Sequence, residues 1–146
     1  MQEVGKLTML TALKVIHEDD HKPVPRAALL VRLSALTALQ ALKVVAPIVG
    51  PLPPAALSCL QQLTSLRMFF WDPRGSFNAP QLGWEHLATL TALRRLDVDG
   101  FPVSLSGEQV TAAWQHLEEL SLSSTGLDDA CFWGTLCQLP RLTYLA

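Results

Sequence analysis

Two histidines and three carboxylates fall within five residues at His17-Glu18-Asp19-Asp20-His21. Such side chains could ligate a divalent cation or carry protons. Their spacing, however, matches no zinc, EF-hand or HExxH arrangement. A solvated loop following a strand is the favoured reading of this run, and a metal-binding or enzymatic protein built on residues 17–21 is the rival, which metal titration by calorimetry would separate. Cys59, Cys131 and Cys137 are odd in number and include no CxxC pair; Cys131 and Cys137 stand six apart, a poor spacing for one helix face. They read as free, reduced and mostly buried thiols, which places the chain in a reducing, cytoplasmic setting. No G-x-S-x-G, P-loop or G-x-G-x-x-G is present. The reading assigns no catalytic residue, no cofactor and no metal, and it is not that of an enzyme.

With little chemistry to position, the question becomes what the scaffold is for. The chain has 146 residues, a single-domain length, and 49% of them are hydrophobic, enough to bury a core. Charged residues make up only 16% and the net charge is −2, which argues against nucleic acid or an anionic membrane as the main partner. No apolar run approaches the roughly 18 residues that a membrane span needs, and the start has no basic segment followed by an apolar one. The apolar set is lopsided: 28 leucines stand against two isoleucines, Ile16 and Ile48. A core made only of sheet would favour β-branched residues.

The leucines repeat. Aligned on their last two apolar positions, six copies read LTMLTALKV (7–15), LTALQALKV (36–44), LQQLTSLRM (60–68), LTALRRLDV (90–98), WQHLEELSL (114–122) and LPRLTYLA (139–146). Successive copies are offset by 29, 24, 30, 24 and 25 residues. The early leucines of each copy, three apart, suit a helical or 3₁₀ turn. The later part, as in Leu93-x-x-Leu96-x-Val98, ends in the alternation of a short strand with one buried face. One copy cannot cover both its strand and its turn, whereas stacked copies can, because each covers its neighbour.

These copies resemble the leucine-rich-repeat family, whose consensus is L-x-x-L-x-L-x-x-N/C-x-L over about 20–29 residues. The stretch GPLPPAALSCLQQL (50–63) is similar to the G-x-[IL]-P-x-x-L-x-x-L segment of plant-type repeats. The resemblance spans essentially the whole chain. It implies an α/β solenoid, or horseshoe, of about six coils, with a parallel sheet on the concave side and short helices on the convex side. It also implies a single domain, residues 1–146, whose work is to bind another protein through the concave sheet. Segments inside a larger receptor, ligase adaptor or ciliary assembly belong to the same family, so an architectural role in a cytoskeletal or axonemal setting is the alternative.

The departures are informative. Where the family places Asn, Cys or Thr to bond turn backbone between coils, this chain has Glu18, Pro47, Trp71, Phe101 and Thr125, and only Thr125 fits. The single asparagine, Asn78, lies in a linker and is expected to contribute little. The turns must be held by other means, with Asp72-Pro73-Arg74-Gly75 a fair type I turn. Helices are expected within 25–36, 53–63, 83–90, 107–117 and 128–139, the last opening on Asp128 and Asp129 at the positive end of its dipole. Trp84, Trp114 and Trp133 within them read as packing residues.

The strand positions that alternate away from the core form columns. One reads Lys14, Lys43, Arg67, Asp97, Ser121; the next reads Ile16, Val45, Phe69, Asp99, Ser123; a third begins His17, Ala46, Phe70, Gly100. The first three coils thus offer a basic row beside an apolar one, and later coils offer Asp97, Asp99, Glu118 and Glu119. The expected partner contact centres on Phe69 and Phe70 with Lys43 and Arg67 beside them, and extends over Lys14, Ile16, Val45, Asp97 and Asp99. The alternative is that linker loops fold back and cover the two phenylalanines.

The first copy begins at residue 7, the last ends in mid-strand, and neither end carries a polar capping segment, which solenoids need for solubility. The chain is therefore expected to be part of a longer array or to self-associate end to end. Light scattering checks this: a stable, soluble monomer over a wide concentration range would count against both.

Overall fold

The computed structural model describes residues 9–17, 24–25, 33–49, 57–71, 82–83, 87–100, 103–104, 111–123 and 134–146; at 24–25, 47–49, 70–71, 82–83 and 103–104 the description is of the backbone. The described residues form nine strands: β1 (Ala12–Ile16), β2 (Val24–Pro25), β3 (Ala41–Val49), β4 (Ser65–Trp71), β5 (Leu82–Gly83), β6 (Arg95–Asp99), β7 (Val103–Ser104), β8 (Glu119–Ser123) and β9 (Tyr144–Leu145). The main sheet follows the order β1-β3-β4-β6-β8-β9, with β2 beside the far end of β3, and every pairing is parallel. It is an open, solenoid-like sheet built from one strand per leucine copy.

The register of this sheet follows the repeats. Leu13, Leu42, Leu66, Leu96, Leu120 and Leu145 stand opposite one another in turn, as do Val15, Val44, Met68, Val98 and Leu122 in the five copies before β9. Among these, Leu42, Val44, Leu66, Met68, Leu96, Val98, Leu120 and Leu122 are buried. A shift of one residue would turn all of them to the opposite face. Burying the leucine column therefore fixes the register along the whole stack.

Ahead of each strand the chain winds tightly. Leu36 and Leu39 donate their amides to the carbonyls of Leu33 and Leu36; Leu60 and Leu63 do the same with Leu57 and Leu60, and Leu90 and Leu93 with Leu87 and Leu90. Leu117 bonds to Trp114 in the same way, as do Leu139 to Leu136 and Leu142 to Leu139. Bonds that reach three residues back make three residues per turn, so side chains three apart lie one above another. Leucines at every third position therefore form one inward ridge, and all of these leucines except Leu142 are buried. Trp114 fills the place taken by Leu36, Leu60, Leu90 and Leu139, and it is 0% exposed.

The short helices expected around these turns are only partly described. Among the described residues, Leu33, Leu87, 111–113 and 134–136 are helical, and each leads into the turns. The other described parts of the expected segments are these three-residue windings. An α-helix would carry every third residue progressively off the inward line, and the leucine spacing does not permit that drift. Most of the remaining expected helical positions, together with Trp84, Trp133, Asn78 and the turn at 72–75, lie outside the described residues. Two pairings were not anticipated: β2 with β3, and a separate parallel pair, β5 with β7. No described helix is long and apolar enough to cross a membrane.

The entry to each strand is tied to the preceding coil through the backbone. The carbonyl of Thr11 accepts both the Gln40 and Ala41 amides, at 2.7 and 3.0 Å. Gln40 does the same for Thr64 and Ser65, Thr64 for Arg94 and Arg95, Arg94 for Glu118 and Glu119, and Glu118 for Thr143 and Tyr144. One carbonyl per coil thus holds two amides of the next, at the start of each strand. The hydroxyls of Thr64 and Thr143 add a third donor to the Gln40 and Glu118 carbonyls, at 3.1 and 3.0 Å. At the other end of β6, Gly100 leaves the strand at a φ of 81° and donates its amide to Ser123. A side chain is strained at that φ, so glycine suits the position.

Two substitutions separate these supports. Leu96 is 1% exposed, so Leu96→Ala should cost about 2–5 kcal/mol through the cavity it opens. Thr64→Val should cost no more than about 1 kcal/mol, because the Gln40 carbonyl keeps its two amide donors. Urea unfolding of both variants provides the comparison, and equal losses would contradict the assigned roles.

Candidate functional site

Strand residues alternate between faces, so the residues between the leucines define the outward face of the sheet. The pairings place Lys14, Lys43, Arg67, Asp97 and Ser121 in one row across β1, β3, β4, β6 and β8. A second row runs through Ile16, Val45, Phe69, Asp99 and Ser123. Lys14 and Arg67 are exposed, and Ile16 is 45% exposed; Lys43, Val45, Phe69, Asp97 and Asp99 are half-buried. Eight of the nine residues expected to meet a partner therefore lie in two adjoining rows of one face.

Phe70 is the exception. It pairs with Ala46, which is 0% exposed and continues the buried alternation of Leu42 and Val44. Phe69 and Phe70 are adjacent in β4, and neighbouring strand residues take successive rows of the register. Of the pair, Phe69 occupies the outward row. The side chain of Phe70 lies outside the described residues.

A third outward row went unnoticed in the sequence. It runs Ala12, Ala41, Ser65, Arg95, Glu119, Tyr144, two residues ahead of the lysine row. Stepping back by the same period of two would have found it. In the first three coils this row is small and uncharged; in the last three it carries Arg95, Glu119 and a Tyr144 that is 57% exposed.

The electrostatics divide along the same line. From the third coil onward three arginines meet a carboxylate one coil further on: Arg67 Nε with Asp97 Oδ2 at 3.7 Å, Arg94 with Glu118 at 2.8 Å and Arg95 with Glu119 at 3.1 Å. In the early coils, Lys14 stands opposite Lys43 and Lys43 opposite Arg67. Like charges directly opposite one another across paired strands destabilise a sheet. Lys43 has an aromatic neighbour instead of a carboxylate, its Nζ lying 5.4 Å from the centre of the Phe69 ring. A partly exposed contact of this kind contributes about 0.5–1 kcal/mol.

Two shallow depressions mark the face. One, of about 320 Å³, lies over β1, β3 and β4, with Ala12, Ala41 and Ser65 beside Lys14, Lys43 and Arg67. The other, of about 420 Å³, lies over β4, β6, β8 and β9 and includes Arg67, Arg95, Asp97, Glu119, Ser121 and Tyr144. Of the cluster at 17–21 only His17 is described, its amide bonded to the Val45 carbonyl at 2.8 Å. Among the described residues no group of three or more His, Cys, Asp or Glu side chains is arranged to hold a metal. Cys59 and Cys137 are exposed, contrary to the expectation of buried thiols, because each falls between the inward leucines of its turn. Cys131 lies outside the described residues.

Among the described residues the ion pairs between coils are partly exposed, so each should be weak. A double-mutant cycle on Arg95→Ala and Glu119→Ala, read by urea unfolding, should give a coupling of about 0.2–1 kcal/mol. Added salt should lower it, since exposed pairs are screened. A salt-independent coupling of several kcal/mol would contradict this account of the face.

Comparison with known proteins assigns no function to these rows: no family model matches the chain, and no curated protein matches it.

Proposed function

We propose that the chain is a leucine-rich-repeat module that recognises another protein through the outward face of its parallel sheet. The observation that carries this reading is the composition of that face. The buried rows stay apolar, leucine along one and valine, methionine or leucine along the other, whereas the outward rows change from lysine through arginine to aspartate and from valine through phenylalanine to aspartate across neighbouring coils. Packing needs the first kind of row and is indifferent to the second.

The reading draws on three further features. Phe69 is half-buried on an outward row, Ile16 and Tyr144 are 45% and 57% exposed, and cationic groups lie beside them. Interfaces take much of their energy from a few aromatic and arginine anchors surrounded by weaker contacts. The leucine spacing, the strand following each winding and the stacking of copies 24 to 30 residues apart support the family assignment. The proposed setting is cytoplasmic, and a place within a larger cytoskeletal or axonemal assembly fits the same surface.

The test uses the full chain as bait in extract of the source cell, with captured proteins identified by mass spectrometry. Phe69→Ala and Arg67→Ala alter the outward face, while Gln138→Ala alters an exposed turn on the other side of the coil. With the partner isolated, calorimetry should show Phe69→Ala weakening binding by at least ~2 kcal/mol, the hot-spot threshold, and Gln138→Ala leaving it unchanged. Circular dichroism confirms that each variant is folded, and Arg67→Ala covers the case in which Phe69→Ala is not. A partner that ignores both face substitutions and is lost on Gln138→Ala would overturn the reading.

A further inference from the structure

We infer that the depression over β1, β3 and β4 receives a short, carboxylate-rich segment of a partner protein. The inference rests on the recognition reading of the sheet face and assigns the chemistry of what binds there. Its basis is an imbalance within one row. Lys14, Lys43 and Arg67 follow one another on adjacent strands, and the row reaches a carboxylate only at Asp97. Adjacent strands lie about 4.8 Å apart, so the three cations are held close together by a backbone register that the leucine core dictates. Among the described residues, Arg67, Arg94 and Arg95 each have a carboxylate within ion-pair distance, and neither Lys14 nor Lys43 does.

The floor beside this row suits the same ligand. Ala12, Ala41 and Ser65 are the smallest residues of their row, and they leave about 320 Å³ open at the feet of the three cations. Two rows away from that floor, Ile16, Val45 and Phe69 supply an apolar margin. A segment whose carboxylates meet the cations can therefore lay an apolar side chain against that margin. Opposite charge across the contact would set its register and speed encounter more than it would add affinity.

The extent of the patch separates a protein segment from nucleic acid. The cationic row ends at Asp97, with Asp99, Glu118 and Glu119 on the coils beyond. A long polyanion would run from the lysines onto Asp97, Asp99 and the Arg94–Glu118 and Arg95–Glu119 pairs, where the cations are already matched by carboxylates. A short acidic stretch occupies the cations alone.

The experiment titrates the full chain with a fluorescein-labelled peptide of alternating glutamate and alanine bearing one tryptophan, read by fluorescence anisotropy. The control peptide has glutamine at every glutamate position, and a labelled oligothymidine is the competing polyanion. Expected results are binding of the acidic peptide that weakens with salt, no binding of the glutamine peptide, and weaker binding of oligothymidine. The double variant Lys14→Gln, Lys43→Gln should lower affinity at least about tenfold, and Lys14→Glu, Lys43→Glu further still. The glutamine variant keeps the test decisive if charge reversal disturbs folding. Failure of the acidic peptide to bind, equal binding by the lysine variants, or oligothymidine binding as tightly would each overturn the inference. The two readings fail differently. If an isolated partner is weakened by Phe69→Ala and ignores the lysine variants, the acidic-segment inference falls and recognition by the face stands; if all of these substitutions leave it unchanged, both fall.

Discussion

Each coil of this protein depends on its neighbour to cover leucines that it cannot cover itself. A strand and the tight winding before it present apolar side chains on two sides of a thin ribbon, and only another ribbon of the same shape matches both. The consequence is visible in burial: Leu36, Leu39, Leu60, Leu63, Leu66, Leu90, Leu93, Leu117 and Leu120 are all 0% exposed in the interior of the stack. At the flanks, where a described coil leans on one neighbour, Leu10, Leu13 and Leu142 are partly exposed and Leu145 is 41% exposed. Stability in such a stack is a sum of interfaces between adjacent units.

The stacking also dictates where polar groups go. Backbone carbonyls inside a coil must find donors, since an unmet polar group away from water costs as much as a lost hydrogen bond. The carbonyls of Thr11, Gln40, Thr64, Arg94 and Glu118 each take two amides from the coil that follows. Because the backbone makes this connection, no particular side chain is needed at these positions. They are accordingly threonine, glutamine, arginine and glutamate, and two of them, Arg94 and Glu118, form an ion pair at 2.8 Å.

How much of this could be read from the residues depends on what kind of information each feature needs. The repeat offsets carried the register, because leucine burial leaves one alignment of coils: residues matched in sequence, such as Leu42, Leu66 and Leu96, are the residues paired in the sheet. The outward lysine row followed from the same alternation. Phe69 falls in the outward row, whereas for Phe70 only the backbone pairing with Ala46 is described. Cys59 and Cys137 were misplaced because a general preference of thiols for the interior was applied to positions that a three-residue winding turns outward. The pairs β2–β3 and β5–β7 had no signal: strands of two residues show no alternation to detect.

The same alternation explains why the face can carry specificity at little cost to the fold. Lys43 and Val44 are neighbours in one strand, yet Val44 is 0% exposed and Lys43 reaches over the ring of Phe69. A change at Val44 alters the packing of two coils, while a change at Lys43 alters one weak contact. Charges on the outward rows are thus arranged by a core that gains nothing from their identity. Where the arrangement pairs opposite signs, as from Arg67 to Asp97, the face is largely neutralised internally. Where it stacks like signs, from Lys14 through Lys43 to Arg67, the fold holds a local repulsion that packing does not relieve. Solvent can screen that repulsion, but an acidic partner would turn it into attraction, and the rigid leucine register would keep the cations in place to meet it.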